Sequence, residues 1–462
     1  MINSFQSIFE SFASLLESVV FFNILFFTKS YSMPLAIFFV LVGVVYFTIN
    51  TNFINFKMLG SSVKIFFEKE KEIDGTKAVT SKAAFLSAIS GCVGVGSISG
   101  VAVALFAGGP GAVFWMFIIG FLLMPLRYAE VFAGHFFRTK EKDGTISQYG
   151  PYAYISKGLK SEGYGEKLSK FLFIFYVISI LFGSIGAFTM QVNPLSEIVG
   201  NFLFNDSKIA VFLFCFALAT FSIVIVLGGL KRIIHTMESA VSVMSLVYLA
   251  SIVFILILNF KNIPAALMLI FDSAFQLKSV YGGMLGTIII ALTRTIVATE
   301  VGLGTVSLLH GKSQSDDSTR EGLLAMAGPF FANFIFITLN SIAVLATQSH
   351  LSGQNGILMI SGMFARIHQY FPILLLVITF LFAFTTIVAW YFYGESSIKQ
   401  ITEKKIFINL YRIFFFLLIT VSGSVSFGVM IRIIDATVFS IVFPNVIALI
   451  LLGKAIKRNL PK

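Results

Sequence analysis

Two long apolar segments of this sequence are each interrupted by glycines at a corresponding point. The first, over residues 83–105, contains Gly94-Val95-Gly96-Ser97, and the second, over residues 282–310, contains Gly302-Leu303-Gly304-Thr305. Every backbone polar group in a bilayer must be satisfied within the protein, so a glycine-loosened stretch is tolerated only against a cavity, a ligand or another part of the chain. Matched interruptions in two halves of a sequence indicate the binding site of a secondary transporter.

The composition is that of an integral membrane protein. The chain has 462 residues, of which 57% are hydrophobic and 12% charged, and its mean hydropathy is +0.91. Soluble domains carry about 25% charged residues. Cys92 and Cys215 both fall in apolar segments, so we expect buried thiols rather than a disulfide. The first 20 residues lack a basic start and a cleavage site, so no cleavable signal peptide is expected.

The apolar segments predict eleven membrane-spanning helices, since a span needs roughly 20 apolar residues. A leading helix covers residues 33–53, after an N-terminal amphipathic segment, 1–32. Ten more are predicted over residues 83–105, 112–137, 168–198, 208–229, 236–259, 282–310, 322–347, 371–394, 406–428 and 433–453. Residues 4–20, 262–277 and 355–370 are shorter and amphipathic, and we expect them to lie on the surface.

The distribution of basic residues predicts the orientation. With the N-terminus outside, the cytoplasmic segments hold 25 of the 33 Lys and Arg residues and the external segments hold six. Positive charge accumulates on the cytoplasmic side, so we expect the N-terminus outside and the tail 454–462 inside, in a bacterial inner membrane. The net charge of +11 is spread over many loops, which argues against nucleic-acid binding.

The ten helices after the leading one divide into two sets of five, over residues 83–259 and 282–453. Because five is odd, the two halves insert with opposite topology, and both glycine interruptions fall in the first helix of a half. The fold class predicted is therefore all-α integral membrane, with an inverted five-plus-five repeat. Its first and sixth core helices are discontinuous.

Discontinuous helices offer two kinds of binding group. The N-terminus of a half-helix, here at Gly94, Gly96 and Ser97, has N–H donors for a carboxylate. Half-helix C-termini and unwound carbonyls are oxygen ligands for a hard cation such as Na⁺. Close helix packing is the alternative role for the glycines, and the matched second copy favours binding.

Polar side chains within two other predicted spans are further candidates. Thr385 and Thr386 form a hydroxyl doublet, and Thr386 shares a helix face with Trp390, four residues later. As alternatives, Thr hydroxyls bond their own helix, and Trp anchors helices at the membrane interface. Gln191 is a candidate for the ammonium or carboxylate of a substrate, with a helix-to-helix hydrogen bond as the alternative. Asn193 precedes a proline, and satisfying carbonyls freed by that kink is its alternative role.

Intramembrane carboxylates are also functional candidates. Arg127 and Glu130 are three residues apart, so we expect a local ion pair. For Glu300 we expect a structural role, through Arg294 or through N–H groups across the second interruption, with direct ligation as the alternative. The five histidines show no metal-ligand spacing, and no nucleophile elbow or phosphate loop occurs. An enzyme is therefore not predicted, and a channel lacks a repeated ring of charges or carbonyls.

Taken together, the motifs resemble those of the bacterial sodium:alanine/glycine symporter family. The run Ala107-Gly-Gly-Pro-Gly-Ala-Val-Phe-Trp-Met116 looks like a family signature. The other matching stretches are residues 43–53, 94–100, 128–131, 150–155, 191–193, 228–233, 299–305, 390–395 and 444–445. The sequence departs from the family pattern where Ser97 and Thr299 stand in place of amides.

The resemblance implies a leucine-transporter-type fold with an extra leading helix, and Na⁺-driven uptake of a small neutral amino acid, alanine or glycine first. Substrate contacts are expected at Gly94, Gly96, Ser97, Phe188, Gln191, Asn193, Thr299, Thr386 and Trp390. One Na⁺ site is expected at carbonyls of Ser90 and Val93 and at Phe382, Thr385 and Thr386. A proton-coupled or otherwise cation-coupled carrier of another amino acid is the alternative. No obligatory protein partner is inferred.

Overall fold

The computed structural model describes residues 2–24, 33–68, 79–92, 94–142, 145–205, 207–276 and 283–461. Helices make up most of these residues, which confirms the all-α prediction in its coarse form. Within the same residues, one antiparallel sheet pairs two short strands, β1 (Thr139–Lys140) and β2 (Ile146–Gln148).

The helices up to the middle of the chain include the first interrupted segment. They are α1 (Ile2–Val20), α2 (Leu35–Asn50), α3 (Ile54–Lys57), α4 (Leu59–Phe67), α5 (Ser81–Cys92), α6 (Val95–Gly108), α7 (Gly111–Phe136), α8 (Gly150–Ala153), α9 (Leu159–Ser161), α10 (Glu166–Leu203), α11 (Lys208–Val226), α12 (Gly229–Leu258) and α13 (Ile263–Ala274). A π-helix, Tyr154–Gly158, joins α8 to α9, and a 3₁₀ turn, Phe260–Asn262, precedes α13.

The remaining helices include the second interrupted segment. They are α14 (Gly283–Thr299), α15 (Thr305–His310), α16 (Ser318–Phe330), α17 (Thr338–Ala346), α18 (Gly356–Ala365), α19 (Phe371–Ile401), α20 (Lys405–Ser422), α21 (Phe427–Ser440), α22 (Val442–Leu451) and α23 (Gly453–Arg458). A π-helix, Phe331–Ile337, continues α16 into α17, and a 3₁₀ turn, Ser349–Ser352, precedes α18.

Eight helical stretches of the described residues are long and apolar enough to cross a membrane. They are Gly111–Phe136, Glu166–Leu203, Lys208–Val226, Arg232–Leu258, Ser318–Ala346, Phe371–Ile401, Lys405–Ser422 and Phe427–Leu451. Four shorter apolar helices accompany them: Leu35–Asn50, Val95–Gly108, Met284–Thr299 and Gly356–Ala365. The protein is therefore a multi-pass membrane protein. The predicted spans 83–105 and 282–310 are missing from the long set because each is divided into two helices.

The two interrupted segments lie side by side. Helix α6, after the first interruption, packs on α14, which precedes the second, and α5 packs on α15. The first half of each segment therefore packs on the second half of the other, as expected for two antiparallel broken helices. Helices α10 and α19 cross this pair, since α10 contacts α6 and α19 contacts both α5 and α6. The two interruptions, α10 and α19 thus enclose one common space.

Helix α18 does not lie on the surface, so the prediction for residues 355–370 is wrong over this helix. Its residues Ile357, Met359 and Phe364 are fully buried, and it packs on α6 and α10. A helix of only 10 residues is too short to be predicted as a membrane span from the sequence. Here it covers the half-helix α6, whose residues from Val95 to Leu105 are all buried.

Helix α1 packs along α21. Ala13 is completely buried there with Val429 and Met430, and Glu17 accepts hydrogen bonds from Nε of Arg432 at 2.9 and 3.0 Å. The amphipathic character predicted for the N-terminal segment is therefore used, at least in part, against the protein itself. The rest of the predicted 1–32 segment includes residues 25–32, which lie outside the described residues.

Candidate functional site

The first interruption begins the half-helix α6 beside α10. Gly94 is extended, with φ −102° and ψ −168°, and precedes the first helical residue, Val95. A helix N-terminus leaves backbone N–H groups without partners inside the helix. Gln191 on α10 satisfies one of them, because its Oε1 accepts the N–H of Val95 at 3.1 Å. The Gln191 amide group is thereby held at the start of α6, with its Nε2 directed away from that bond.

Gly94 is required by a close approach to α19. A Cβ atom at this position would lie 2.5 Å from Oγ1 of Thr386 and 3.1 Å from Oε1 of Gln191. Real Cβ atoms essentially never come within 2.5 Å of another heavy atom, and a contact of 3.1 Å is tighter than most. The first interruption therefore brings α6, α10 and α19 into direct contact at one point.

The second interruption contains three residues in the left-handed region. Glu300 has φ +55°, Gly302 +91° and Gly304 +74°. Glycine adopts this conformation freely, whereas Glu300 is strained there. A carboxylate from α7 satisfies the loosened backbone: Oε1 of Glu130 accepts the N–H groups of Gly302 at 2.8 Å and Gly304 at 3.0 Å.

Glu130 belongs to a buried network around this interruption. Nη1 of Arg127 lies 3.0 Å from its Oε2, as predicted for a local ion pair, and Arg127 also donates to the carbonyl of Thr299. Nδ2 of Asn445 donates to Glu130 at 3.0 Å and to the carbonyl of Gly302 at 2.8 Å. The ion pair therefore also makes tertiary contacts, because Arg127 and Glu130 both bind the backbone of the second interruption.

A small cavity lies where the two interruptions meet. Its lining residues come from α6, α10, α14, α19, α21 and the second interruption: Gly94, Gly96, Ala187, Gln191, Val297, Glu300, Leu303, Trp390, Ile434 and Val438. The space open to the centre of a water-sized sphere is about 20 Å³, little more than one water molecule requires. An amino acid enters this cavity only if one of its walls moves.

Glu300 is a cavity residue that the sequence interpretation assigned to a structural role. Its Oε1 accepts the indole N–H of Trp390 at 2.9 Å and its Oε2 accepts the hydroxyl of Thr305 at 2.6 Å. Both Glu300 and Trp390 are buried, at 1% and 3% exposure, so Trp390 does not lie at a membrane interface. The partner suggested for Glu300, Arg294, instead forms an ion pair with Asp435.

Four of the residues expected at the substrate site line this cavity: Gly94, Gly96, Gln191 and Trp390. Thr386 contacts Gly94 from α19. Ser97 lies between the interrupted segments, where its hydroxyl donates to the carbonyl of Ala298 at 3.3 Å. These residues are brought together from three helices distant in sequence.

The other three expected substrate residues lie outside the cavity lining. The ring of Phe188 packs on Phe415, with ring centroids 4.7 Å apart. Asn193 donates to the carbonyl of Val425 rather than to a carbonyl of its own helix, and the hydroxyl of Thr299 donates to the carbonyl of Thr295 at 2.7 Å. Their roles at the substrate site stay predictions.

The expected sodium site is described only in part. Val93 and the side chain of Ser90 lie outside the described residues. On α19, Phe382 and Thr386 are buried, and the hydroxyl of Thr385 lies 3.0 Å from the carbonyl of Leu381 and 3.1 Å from that of Phe382. Among the described residues, no three His, Cys, Asp or Glu side chains cluster as metal ligands.

Comparison with known proteins identifies the family of this chain. A family model described as "Sodium:alanine symporter family" matches residues 18–462. The chain is 31% identical to an uncharacterized transporter of Haemophilus influenzae, over 89% of each chain. It is 30% identical to the amino-acid carrier protein AlsT of Bacillus subtilis, over 82% of this chain and 78% of that one. It is 28% identical to the sodium/alanine symporter AgcS of Methanococcus maripaludis, over 88% and 89%.

Proposed function

This chain belongs to the sodium:alanine symporter family, and we propose that it couples the influx of Na⁺ to the uptake of a small neutral amino acid, alanine or glycine first. It is a transporter and not an enzyme, and the family supports a cation-coupled carrier of amino acids. The observation that carries the proposal is the cavity where the two helix interruptions meet, because secondary transporters bind their substrates at such interruptions. Alternating access around that cavity is the proposed mechanism.

The proposed substrate position follows from the groups at the first interruption. The substrate carboxylate faces residues 94–97, where α6 begins and the Gln191 amide points into the cavity. Helix N-termini and amide N–H groups both favour a carboxylate. The indole of Trp390, together with Ala187 and Val438, limits the room for a side chain. Small side chains such as those of alanine and glycine fit such a site best.

The proposed Na⁺ site lies beside the substrate, between the end of α5 and α19. Its ligands are carbonyls at Ser90 and Val93, with Phe382, Thr385 and Thr386 on α19. Na⁺ is a hard cation and prefers several oxygen ligands. The contact between Gly94 and Thr386 supports this location, since it holds α19 against the start of α6. The sodium gradient supplies about 2.3 kcal/mol per charge per 100 mV, in addition to the concentration difference.

For the membrane arrangement we propose eleven spans with an inverted five-plus-five repeat, residues 83–259 and 282–453, after the leading helix. The reverse-order packing of α5 and α6 on α15 and α14 supports the repeat. The asymmetry of Lys and Arg supports an external N-terminus and a cytoplasmic tail, 454–462, in the inner membrane. Labelling single cysteines introduced at Lys261 and Lys457 from either side of intact cells tests this orientation.

One observation favours a second candidate, a carrier driven by protons or another cation that moves a different amino acid. Glu300 places a carboxylate in the cavity wall, and intramembrane carboxylates often serve proton movement. Uptake into proteoliposomes separates the candidates. All common amino acids are tested at fixed pH, with Na⁺ present or replaced by choline. Alanine or glycine uptake that vanishes in choline supports sodium coupling, whereas uptake that persists in choline and follows an imposed pH gradient contradicts it.

A further inference from the structure

The cavity between the interruptions has an electrostatic asymmetry. Among its described lining residues, Glu300 is the single ionisable side chain. No Lys, Arg or His side chain of the described residues lies within ion-pairing distance of its carboxylate. Arg127, the basic residue of the neighbouring network, is turned towards Glu130 and the carbonyl of Thr299. A buried negative charge is costly without a nearby cation, so a positive group that enters the cavity is stabilised by this carboxylate.

The carboxylate of Glu300 is held in place and still has room for donors. Trp390 donates to Oε1 at 2.9 Å and Thr305 donates to Oε2 at 2.6 Å. An ionised carboxylate accepts about four hydrogen bonds, so each oxygen retains capacity for one more. The backbone of Glu300 is strained, with φ +55°, and such strain persists only where the surroundings fix it, commonly at binding sites.

The other polar wall of the cavity has the opposite character. Oε1 of Gln191 accepts the N–H of Val95, and this bond assigns the orientation of the amide. Its Nε2 donors therefore lie on the cavity side, next to Gly96. Donors at the first interruption and a carboxylate at the second match the two charged ends of a free amino acid.

Two neutral acceptors near the cavity each already accept a hydrogen bond, and neither carries the negative charge that an ammonium group prefers. The carbonyl of Thr299 accepts from Arg127, and Oε1 of Gln191 accepts from Val95. We infer that the Glu300 carboxylate binds the ammonium group of the transported amino acid directly. The site therefore selects substrates with a free α-ammonium group. This inference rests on the proposed function and adds to it the group that recognises the substrate.

The test compares an amino acid with its hydroxy analogue. L-lactate differs from L-alanine in having a hydroxyl in place of the ammonium group. Each compound is added as a competitor against uptake of the amino acid that the protein transports best in proteoliposomes. The measured quantity is the ratio of the two inhibition constants, lactate over alanine, in the intact protein and in Glu300→Gln. The glutamine side chain keeps an acceptor oxygen and nearly the same size, but it carries no negative charge. We expect the ratio to fall by about tenfold to a hundredfold, as for losing a hydrogen bond to a charged group.

A matched control is available on the helix that carries Trp390. Glu395 is 8% exposed and lies 2.8 Å from Nζ of Lys399, away from the cavity lining. Glu395→Gln also removes a largely buried charge, and its ratio should equal that of the unmodified protein. An unchanged ratio in Glu300→Gln, or an equal fall in both variants, would overturn the inference while leaving the proposed transport intact.

A second measurement decides the matter if Glu300→Gln is not recovered folded. In Trp115→Phe the remaining tryptophan is Trp390, whose indole donates to Glu300. Adding alanine should shift the fluorescence emission of Trp390, whereas adding lactate should not. Equal shifts with the two compounds would overturn the inference. If the unmodified protein transports no amino acid, the proposed function itself has failed and the assignment of Glu300 falls with it.

Discussion

Glu130 and Gly304 are joined by a 3.0 Å hydrogen bond from the backbone N–H of Gly304 to the carboxylate Oε1, across 174 positions of sequence. The same oxygen accepts from Gly302 and Asn445. One carboxylate on an unbroken helix therefore satisfies the backbone of a broken one. Where lipid offers no replacement donors or acceptors, the geometry of the second interruption depends on this group.

Removing that carboxylate should destabilise the protein strongly. Glu130→Ala leaves Arg127 and two backbone N–H groups buried without their acceptor, and breaking a buried ion pair costs about 3–5 kcal/mol. We expect a large fall in Tm in detergent and loss of uptake. Glu162→Ala breaks an exposed pair with Arg458 and should cost at most about 1 kcal/mol. Equal effects of the two variants would contradict the role of Glu130.

Gly94→Val should abolish uptake without preventing membrane insertion. The new side chain overlaps Thr386 and Gln191, so α6 and α19 are forced apart at the cavity. Uptake in proteoliposomes is measured alongside the amount of protein in the membrane. Gly100→Ala is the control on the same helix, since a Cβ there has no neighbour within 4 Å. It should leave uptake nearly unchanged, and normal uptake by Gly94→Val would disprove the proposed placement.

Thr386→Ala should raise the Na⁺ concentration needed for half-maximal uptake, by about two- to tenfold, the worth of one polar contact. The same direction is expected for Thr385→Ala. Because the proposed ligands include no carboxylate, this concentration should not vary with pH above about 5. The control is Thr379→Ala, two turns earlier on α19 and equally buried. Unchanged sodium dependence in both Thr385→Ala and Thr386→Ala would exclude the site and direct attention to Glu300.

Substitutions of Arg294 and Asp435, which form an ion pair, should have strongly non-additive effects on the free energy of unfolding. It joins α14 to α21 next to the cavity residue Ile434, with side chains 5% and 14% exposed. Asp435→Asn leaves Arg294 without its counter-charge and should lower stability by about 3–5 kcal/mol. The exchanged pair Arg294→Asp with Asp435→Arg should recover part of that loss. Additive effects in thermal unfolding would show that the two side chains act independently.

Sequence patterns predicted the parts of the site that depend on which residue type stands at a position. Glycines at matched positions indicated both interruptions, and polar residues in apolar helices indicated Gln191 and Trp390. The pattern did not determine the rotation of α10. The resemblance implied Phe188 at the substrate site, whereas its neighbour Ala187 lines the cavity. A rotation of 100° separates the two, and packing against α20 decides it.

The partners of the carboxylates could not be predicted either. Spacing revealed the pair of Arg127 and Glu130, because residues three apart share a helix face. Its attachment to the second interruption depends on tertiary packing that leaves no local trace in the sequence. The same holds for Glu300, whose indole partner is 90 residues away. Sequence position shows that such a carboxylate is unusual, but packing determines what it contacts.

The narrowness of the central cavity has a thermodynamic consequence for how tightly the protein holds its substrate. A form with room for about one water molecule does not bind an amino acid, so binding occurs to a wider form that the protein must populate. The apparent dissociation constant equals the intrinsic one divided by the fraction in the wider form. Trimming a wall, as in Val438→Ala, can therefore tighten apparent binding while removing contacts. A weak measured affinity would then report how seldom the cavity opens, and the bound complex itself would still be tight.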